Sequence, residues 1–507
     1  MSIFSNSTSN QNKKGTTEGF FFGAPEAEAE RIFEVKHCVS FFDDYNNVWR
    51  ELENGKFIIS GRKGTGKSAI AKRILDLKKM DSCYAELIKS EDYKLYQNVV
   101  YSDDGDEITA EMIWEWMVLT KFVKMILDKK NTYIPEYKAL EKFWKNNSGI
   151  LSVDVFDIKE VVQHKKTNLS INPIKCILGG EYSKYKECTM THAPFYRFIP
   201  VLRDIVQRVL RMDVYKNIDF ILMFDDLDIP FKLNDTEDKC KLLSLIRIAK
   251  TYNTQTLSNS SGKVLLFLRD DVSRSLQSVA ADTGKIFGSY ECQLKWYNHE
   301  YDNDDDSRNL IKKFVNRRLQ INFDILKVPY NAQNPWINFI EDDLYAYNGS
   351  TPFHYLLDFT FYRPRDFINM FKDIGSRHYE LPLNPRNVKT LLQEYVKNNM
   401  VEISNELSII YSEEMVKSIK NLLRQVAEEV PVSFSRLIEM LNNNGLEESV
   451  LDELLEYNLI IPRDINGHNY YSYREDMAEG DKNEYNYSLP KSVFTYYKRQ
   501  SIMPNIQ

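Results

Sequence analysis

The chain has 507 residues with a net charge of −7, and 43% of its residues are hydrophobic and 27% charged. This length is enough for roughly two to four domains, and the composition is close to ordinary globular usage. The acidic balance excludes a bulk attraction to nucleic acid, and no stretch has the run of about 18 apolar residues that a membrane-spanning helix needs.

The first residues differ from the rest of the chain in composition. Met1 to Thr17 is rich in Ser, Asn, Thr and Lys and lacks the apolar core of a secretory signal. We therefore expect residues 1–19 to be a disordered tail. The six cysteines are scattered singly, with neither a C-x-x-C pair nor a histidine at metal-ligand spacing. This pattern is typical of reduced thiols in a cytoplasmic protein.

A glycine-rich, basic loop follows the first apolar run. Phe57 to Ser60 reads as a strand, the residues "GRKGTGKS" come next, and Lys67 to Lys79 has helical periodicity. The loop matches G-x-x-x-x-G-K-[ST], in which backbone N–H groups and a helix N-terminus surround phosphate oxygens. Lys67 is expected to reach the β- and γ-phosphates, and Ser68 to bind Mg²⁺. The predicted nucleotide-binding residues are Gly61, Lys63, Gly64, Thr65, Gly66, Lys67, Ser68 and Ala69.

The interval between this loop and the next motif is longer than a minimal phosphate-binding core needs. Ala110 to Lys145 has a helical pattern with many aromatic residues, which is typical of core packing. Val153 to Ser183 reads as a β-hairpin-like element. We expect an insertion around residues 85–195, and it is our candidate for a partner or oligomer surface.

Two apolar strands then predict a parallel sheet covered by helices on both faces. They are Ile218 to Phe224 and Lys263 to Leu268, with a helix at Lys239 to Tyr252 between them. Asp225, at the end of the first strand, is expected to hold Mg²⁺ through water, and Asp226 to orient the attacking water or accept its proton. Alone, such a pair would be interpreted as a cap or turn, but here it follows the phosphate-binding loop.

Two arginine motifs are candidates for sensing the γ-phosphate. Arg269 ends the second strand, at the sheet edge where ligands of open α/β sheets gather, although a salt bridge to Asp270 or Asp271 is an equal alternative. In "FYRPRDFI", Arg363 and Arg365 precede a helix and could aim an arginine at the nucleotide. We select Arg365, with an ordinary capping contact as the alternative.

Past Asn322 the pattern is mostly helical to about Glu429, and the last section has the element order of a winged helix. From Pro431 onward, two helices precede two β-like runs around Asn466-Gly467. This section has seven Lys and Arg against twelve Asp and Glu, which favours packing or protein interaction over DNA binding. The clearest basic cluster is Ser307 to Arg318, where a solvated helix face is favoured over a phosphate-backbone site.

Together, "GRKGTGKS", "FDDLD", "FLRDD", "RPRD" and the C-terminal "YREDM" resemble the STAND and initiator-like branch of the AAA+ P-loop ATPases, and more closely bacterial ATPases with such signatures. The resemblance implies ATP and Mg²⁺ as cofactors, a nucleotide-driven conformational switch and frequent oligomers. Arg269 matches the sensor arginine of the family. The pair Asp225-Asp226 replaces the usual Asp-Glu, which implies slow hydrolysis.

The resemblance also implies the domain order and the biological setting. We expect an α/β P-loop NTPase core at 20–320, a helical lid at 321–429 and a winged-helix-like domain at 430–507. The expected function is a cytoplasmic ATP-hydrolysing switch that assembles with itself and with a separate effector, in a role such as bacterial anti-phage defence. The alternatives are an initiator-like ATP-dependent DNA-binding protein and a scaffold that binds nucleotide without hydrolysing it.

Overall fold

The structure is a computed structural model. It describes residues 15–78, 82–89, 92, 109–130, 134–147, 158–163, 188–193, 195–227, 235–277, 279–298, 308–474 and 480–498. The chain forms two compact units. One is the continuous segment Asn47–Leu294, and the other combines Met1–Asn46 with Lys295–Gln507.

The described strands are numbered in chain order as β1 Ile58–Ser60, β2 Cys83–Ile88, β3 Ile158–Gln163, β4 Cys188–Ala193, β5 Asp219–Phe224, β6 Gly262–Leu268, β7 Glu291–Gln293, β8 Val432–Ser433, β9 Ile461–Arg463 and β10 Asn486–Ser488. The described α-helices up to residue 294 are α1 Ala27–His37, α2 Val48–Glu53, α3 Lys67–Leu77, α4 Ala110–Asp128, α5 Pro135–Asn146, α6 Ile199–Leu210, α7 Thr236–Thr251, α8 Asp270–Gln277 and α9 Thr283–Tyr290. Those after it are α10 Leu310–Leu326, α11 Pro352–Leu357, α12 Pro364–Phe371, α13 Pro385–Ile410, α14 Glu413–Glu429, α15 Phe434–Asn443, α16 Glu448–Glu456 and α17 Lys491–Lys498. Among the helices described, none is long and apolar enough to cross a membrane.

The unit Asn47–Leu294 is built on a five-stranded parallel sheet with the order β2-β5-β6-β1-β7. Strand β1 lies between β6 and β7, and its three residues are all buried. Its residue Ile58 is in register with Leu266 on one side and with Glu291 on the other. The prediction of a parallel sheet flanked by helices is therefore confirmed.

Helix α4 covers part of this sheet with its aromatic side chains. It packs against β2 and β5 and against the helices α6 and α7. Trp116 and Phe122 are fully buried, and the Trp114 Nε1 atom donates to the Lys241 carbonyl at 2.8 Å. These aromatic residues are core residues, as their pattern predicted, and the partner or oligomer surface expected of the insertion stays a prediction.

Strands β3 and β4 form a separate two-stranded antiparallel sheet in which Ile158 pairs with Ala193 and Gln163 with Cys188. The predicted hairpin-like element, Val153 to Ser183, contributes β3 to this pair. The rest of that element lies outside the described residues.

The second unit begins with an ordered segment. Thr17 N donates to the Tyr379 carbonyl at 2.8 Å, and Leu381 N donates to the Gly15 carbonyl at 2.9 Å. Phe20 and Phe22 are buried in a core formed with α10, α12 and the first half of α13. The described end of the predicted tail, residues 15–19, is thus held by backbone hydrogen bonds, and residues 1–14 lie outside the described part.

The last part of the second unit has its own core. Strands β8, β10 and β9 form an antiparallel sheet with β10 in the middle. Helices α15 and α16 lie between β8 and β9 in the chain, and Leu441, Leu451 and Tyr487 are buried among these elements. Helices α14 and α17 contribute to the same core.

Candidate functional site

The candidate site starts where β1 ends. Gly61 N donates to the Leu268 carbonyl at 3.2 Å, so the loop leaves the sheet beside the end of β6. Gly64 and Gly66 have φ angles of 85° and 103°, a left-handed conformation that a residue with a Cβ adopts only at a cost. Gly66 is also the N-cap of α3, which begins at Lys67. The two glycines therefore let the chain turn directly from strand to helix.

The loop closes on itself through Thr65, whose hydroxyl donates to the Arg62 carbonyl at 2.8 Å. A Cβ atom placed on Gly61 would lie 2.5 Å from the Thr65 hydroxyl oxygen and 3.2 Å from the Leu294 Cβ atom. A larger residue at Gly61 would therefore have to displace the Thr65 side chain, whose hydroxyl closes the loop.

The lysine of the motif lies across the loop. Lys67 Nζ donates to the Gly61 carbonyl at 2.6 Å and to the Arg62 carbonyl at 3.1 Å. An ammonium group held by neutral backbone carbonyls can move to a charged phosphate oxygen, because the phosphate oxygen is the stronger acceptor. This position suits a cation that would bind phosphate oxygens.

Ser68 and Asp225 meet at the carboxyl edge of the sheet. The Ser68 hydroxyl, in the first turn of α3, donates to Asp225 Oδ2 at 2.9 Å. Asp225 follows β5, and β6 lies between β5 and β1, the strand that leads into the loop. Asp225 is only 3% exposed. Burial raises the pKa of its carboxyl group, against the hydrogen bonds from Ser68 and from the Asp226 N–H and the charges of Lys67 and Lys89.

These two oxygen donors suit a magnesium ion, which prefers oxygen ligands. In the part of the chain that the structure describes, no group of three or more His, Cys, Asp or Glu residues is arranged to hold a metal. Mg²⁺ usually takes one or two protein ligands and completes its coordination with phosphate and water oxygens. The pair Ser68 and Asp225 fits that donor set.

Asp226 follows in a left-handed turn with a φ angle of 58°. Its N–H donates to Asp225 Oδ1 at 3.0 Å, and the residue is partly exposed at the same sheet edge. The left-handed conformation is uncommon for a residue with a side chain and more frequent for Asp than for most. The turn brings a second carboxylate next to the first, while its role toward an attacking water stays a prediction.

Arg269 is bound to a neighbouring carboxylate. Its Nε atom donates to Asp271 Oδ1 at 3.1 Å and its Nη2 atom to Asp271 Oδ2 at 2.6 Å. The salt bridge that was the alternative interpretation is therefore present. A bidentate pair of this kind is stronger than a single neutral hydrogen bond, so a phosphate would have to compete with Asp271 for the guanidinium. Sensing of the γ-phosphate by Arg269 stays a prediction.

The two arginines of "RPRD" lie in the other unit and differ in their surroundings. Arg363 donates to Asp366 at 2.8 Å and 3.2 Å, and the two side chains are 8% and 0% exposed. Arg365 is more exposed, and its contacts to Glu402 and to the Pro25 carbonyl are long, at 3.4 Å and 3.3 Å. Of the two, Arg365 is the one that could exchange partners; its predicted contact with the γ-phosphate stays a prediction.

The basic cluster 307–318 is divided between interior and surface. Lys312 is buried, with Nζ 4.7 Å and 4.2 Å from the ring centroids of Trp336 and Phe353. Arg318 is also buried and donates to Glu30 at 2.6 Å. The exposed cations of the helix region are Arg308, Lys313 and Arg317. The interpretation as a wholly solvated face is wrong for Lys312 and Arg318, and these two are not available to a phosphate backbone either.

Two charged residues near the site were not predicted as functional. Lys89 follows β2, and its charge favours the ionised form of Asp225. Strand β2 itself was not predicted, so nothing in the pattern marked its end. Asp270 follows β6 and was considered only as a partner for Arg269, whereas Arg269 binds Asp271.

Comparisons with known proteins add little to this geometry. No protein-family model and no curated protein matches the sequence. Among solved structures, the chain is similar to one titled "Structure of Drosophila ORC bound to DNA", over 99% of this chain and 96% of that chain, with 11% sequence identity and a TM-score of 0.25. A TM-score this low carries no argument about fold or function.

Proposed function

We propose that the protein is a Mg²⁺-dependent P-loop ATPase that works as a nucleotide-controlled switch. The observation that carries this proposal is the 2.9 Å hydrogen bond between the Ser68 hydroxyl and Asp225 Oδ2. It joins the last residue of the glycine-rich motif, in the first turn of α3, to an acidic residue that follows β5, two strands away from β1 in the sheet. Phosphate-binding loops use such a pair to hold the metal of a metal–nucleotide complex.

Each residue then has a defined task. The loop N–H groups and Lys67 would bind the phosphates, and Ser68 and Asp225 would hold Mg²⁺, which stabilises the negative charge of the transferring phosphoryl group. Asp226 would orient the attacking water and accept its proton. Arg269 would exchange Asp271 for the γ-phosphate, and Arg365 is the second candidate for that contact.

The finer classification rests on the resemblance of the sequence motifs to AAA+ and STAND ATPases. The choice of adenine, the slow hydrolysis, the assembly into oligomers, the separate effector and the role in anti-phage defence all come from it. A winged-helix-like domain at 430–507 is supported by the order of β8, α15, α16, β9 and β10 and by their antiparallel sheet. No membrane partner is proposed.

The proposal is tested by nucleotide binding and phosphate release with the full chain. Isothermal titration with Mg²⁺ and ATP should give binding for the wild type and a loss of at least about 100-fold in affinity for Lys67→Ala, because the main phosphate cation is gone. The matched control is Lys56→Ala, a lysine just before β1 that pairs with Glu51 at 2.7 Å, and it should bind like the wild type. Asp226→Asn should bind ATP and lose phosphate release.

Several outcomes would count against the proposal. Equal affinity in the wild type and Lys67→Ala would exclude the loop as the nucleotide site. Full phosphate release by Asp226→Asn would remove the role given to that residue. The switch itself is tested by measuring the molecular mass of the protein in solution with ATP, with ADP and without nucleotide. The same wild-type mass in all three conditions would contradict it.

A further inference from the structure

Asp270 is a partly buried aspartate beside the phosphate-binding loop. It is the first residue of α8 and stands two positions after Leu268, whose carbonyl accepts the hydrogen bond from Gly61 N. Its Oδ1 atom is shielded from solvent and accepts no hydrogen bond from any described residue. An oxygen in this condition is costly to keep charged, so the charges around it decide its state.

The charges that face Asp270 come from four elements. Lys67 of α3, Arg274 of α8 and Arg62 of the loop attract its carboxylate, and Glu291 of β7 repels it. Glu291 is itself bound, since it accepts a hydrogen bond from the Ser273 hydroxyl at 2.7 Å. Burial is the largest effect and raises the pKa of the Asp270 carboxyl group above its usual value.

Two of the three cations that offset this partly buried charge, Lys67 and Arg62, belong to the phosphate-binding motif. A nucleotide would draw the same cations toward its phosphates and would place further negative charge near Asp270. The repulsion between the Asp270 carboxylate and the phosphates increases with the negative charge of the nucleotide, and it is strong where water is excluded. Bound Mg²⁺ neutralises part of the phosphate charge and so reduces the repulsion.

We propose that Asp270 is a specificity-determining residue that competes with nucleotide phosphates for Lys67 and Arg62 and thereby selects the Mg²⁺-bound nucleotide over the metal-free anion. The selection rests on the proposed nucleotide site. The role of Asp270 differs from that of Asp225. Asp225 holds the metal, whereas Asp270 repels nucleotide that is not bound to Mg²⁺.

The test compares nucleotide affinities of the full chain for the wild type, Asp270→Asn and a control. The control is Asp282→Asn, an exposed aspartate that pairs with Arg247 at 3.0 Å. Titrations use ATP and ADP, each with Mg²⁺ or with EDTA. Asp270→Asn should bind metal-free ATP about tenfold more tightly than the wild type, from the loss of one partly screened like charge. The gain in affinity should be smaller for metal-free ADP, and for either nucleotide it should be smaller with Mg²⁺ than with EDTA. Asp282→Asn should show no gain in affinity.

The outcomes separate this inference from the proposed function. If the wild type binds nucleotide and Lys67→Ala does not, but Asp270→Asn matches the wild type or binds more weakly in EDTA, the inference is wrong and the proposed function stands. A gain of equal size with and without Mg²⁺ would also overturn the selection. A wild type that binds no nucleotide contradicts the proposed function instead.

A second variant and a pH series keep the test independent of folding defects. Asp270→Ser removes the same charge and should show the same gain for metal-free ATP. Lowering the pH protonates the raised-pKa carboxyl group of the wild type, which then resembles Asn. The ratio of wild-type to Asp270→Asn dissociation constants in EDTA should therefore fall toward one as the pH is lowered through the pKa of that carboxyl group. A ratio that stays constant would contradict the inference.

Discussion

The two compact units use their cations in different ways. In Asn47–Leu294, the lysine of the glycine-rich loop is held by the Gly61 and Arg62 carbonyls, which it can leave for a phosphate. In the other unit, Arg363 is buried against Asp366, and Lys312 lies between two aromatic rings. The difference teaches that a basic residue in a motif marks a ligand site only if its partners in the folded chain are weak enough to be replaced.

The largest expected effect is the loss of the buried pair in the second unit. Arg363→Ala removes both hydrogen bonds to Asp366 and leaves a carboxylate with 0% exposure without its counter-charge. Breaking one partner of a buried ion pair costs about 3–5 kcal/mol. Hydrogen–deuterium exchange should show faster exchange in α12 and in the adjoining part of α13.

The control for this change is two residues away. Arg365→Ala removes long contacts at 3.3 Å and 3.4 Å from a more exposed side chain, so the expected loss is about 1 kcal/mol or less. Equal losses of stability in the two variants would contradict the distinction between a structural Arg363 and an exchangeable Arg365, since both arginines would then be structural.

The next largest effect concerns the metal. Ser68→Ala removes one of the two proposed Mg²⁺ donors, and we expect ATP affinity in the presence of Mg²⁺ to fall about 10- to 100-fold. EDTA should weaken ATP binding by the wild type and have little further effect on Ser68→Ala. Ser260→Ala, which removes a hydroxyl bound to the Leu257 carbonyl at 2.7 Å, is the control and should respond to EDTA like the wild type. If EDTA weakened ATP binding by Ser68→Ala as much as it weakens binding by the wild type, Ser68 would not be a metal ligand.

The smallest effect tests whether the basic helix α10 contacts DNA. Lys312→Met keeps the shape of the side chain and removes its charge from the two rings, for an expected loss of about 1 kcal/mol in stability. Lys313→Met changes the exposed neighbour and should cost less than about 0.5 kcal/mol. Neither should change the salt dependence of any DNA binding measured by fluorescence anisotropy. If the exposed-site variant Lys313→Met weakened DNA binding and lowered its salt dependence while Lys312→Met did not, the initiator-like alternative would gain support.

The strand, loop and helix around the glycine-rich motif could be predicted closely from the sequence. The predicted strand 57–60 is observed as Ile58–Ser60, and the predicted helix 67–79 as Lys67–Leu77. The apolar runs that became β5 and β6 were equally clear, because buried parallel strands have continuous apolar sequences. In these parts, local pattern and tertiary environment agree.

The remaining elements depend on contacts that the local pattern does not contain. Strand β7 has only three residues, with Cys292 as its one buried side chain, and it is ordered by pairing with β1. The partner of Arg269 could not be chosen from sequence because Asp270 and Asp271 follow it directly, and only the start of α8 turns Asp271 toward the guanidinium. Likewise, the burial of Lys312 requires Trp336 and Phe353, which lie far along the chain.

The order of the units along the chain has a consequence for synthesis on the ribosome. Phe20 and Phe22 are buried against residues that come after Lys295, whereas Asn47–Leu294 is continuous. At about 5–20 residues per second, the intervening segment takes roughly 10 to 50 s to emerge. During that time the sheet unit can fold while the two phenylalanines still await their partners. A nascent chain arrested once Leu294 has left the ribosomal exit tunnel should therefore bind nucleotide and still expose this aromatic segment to chaperones.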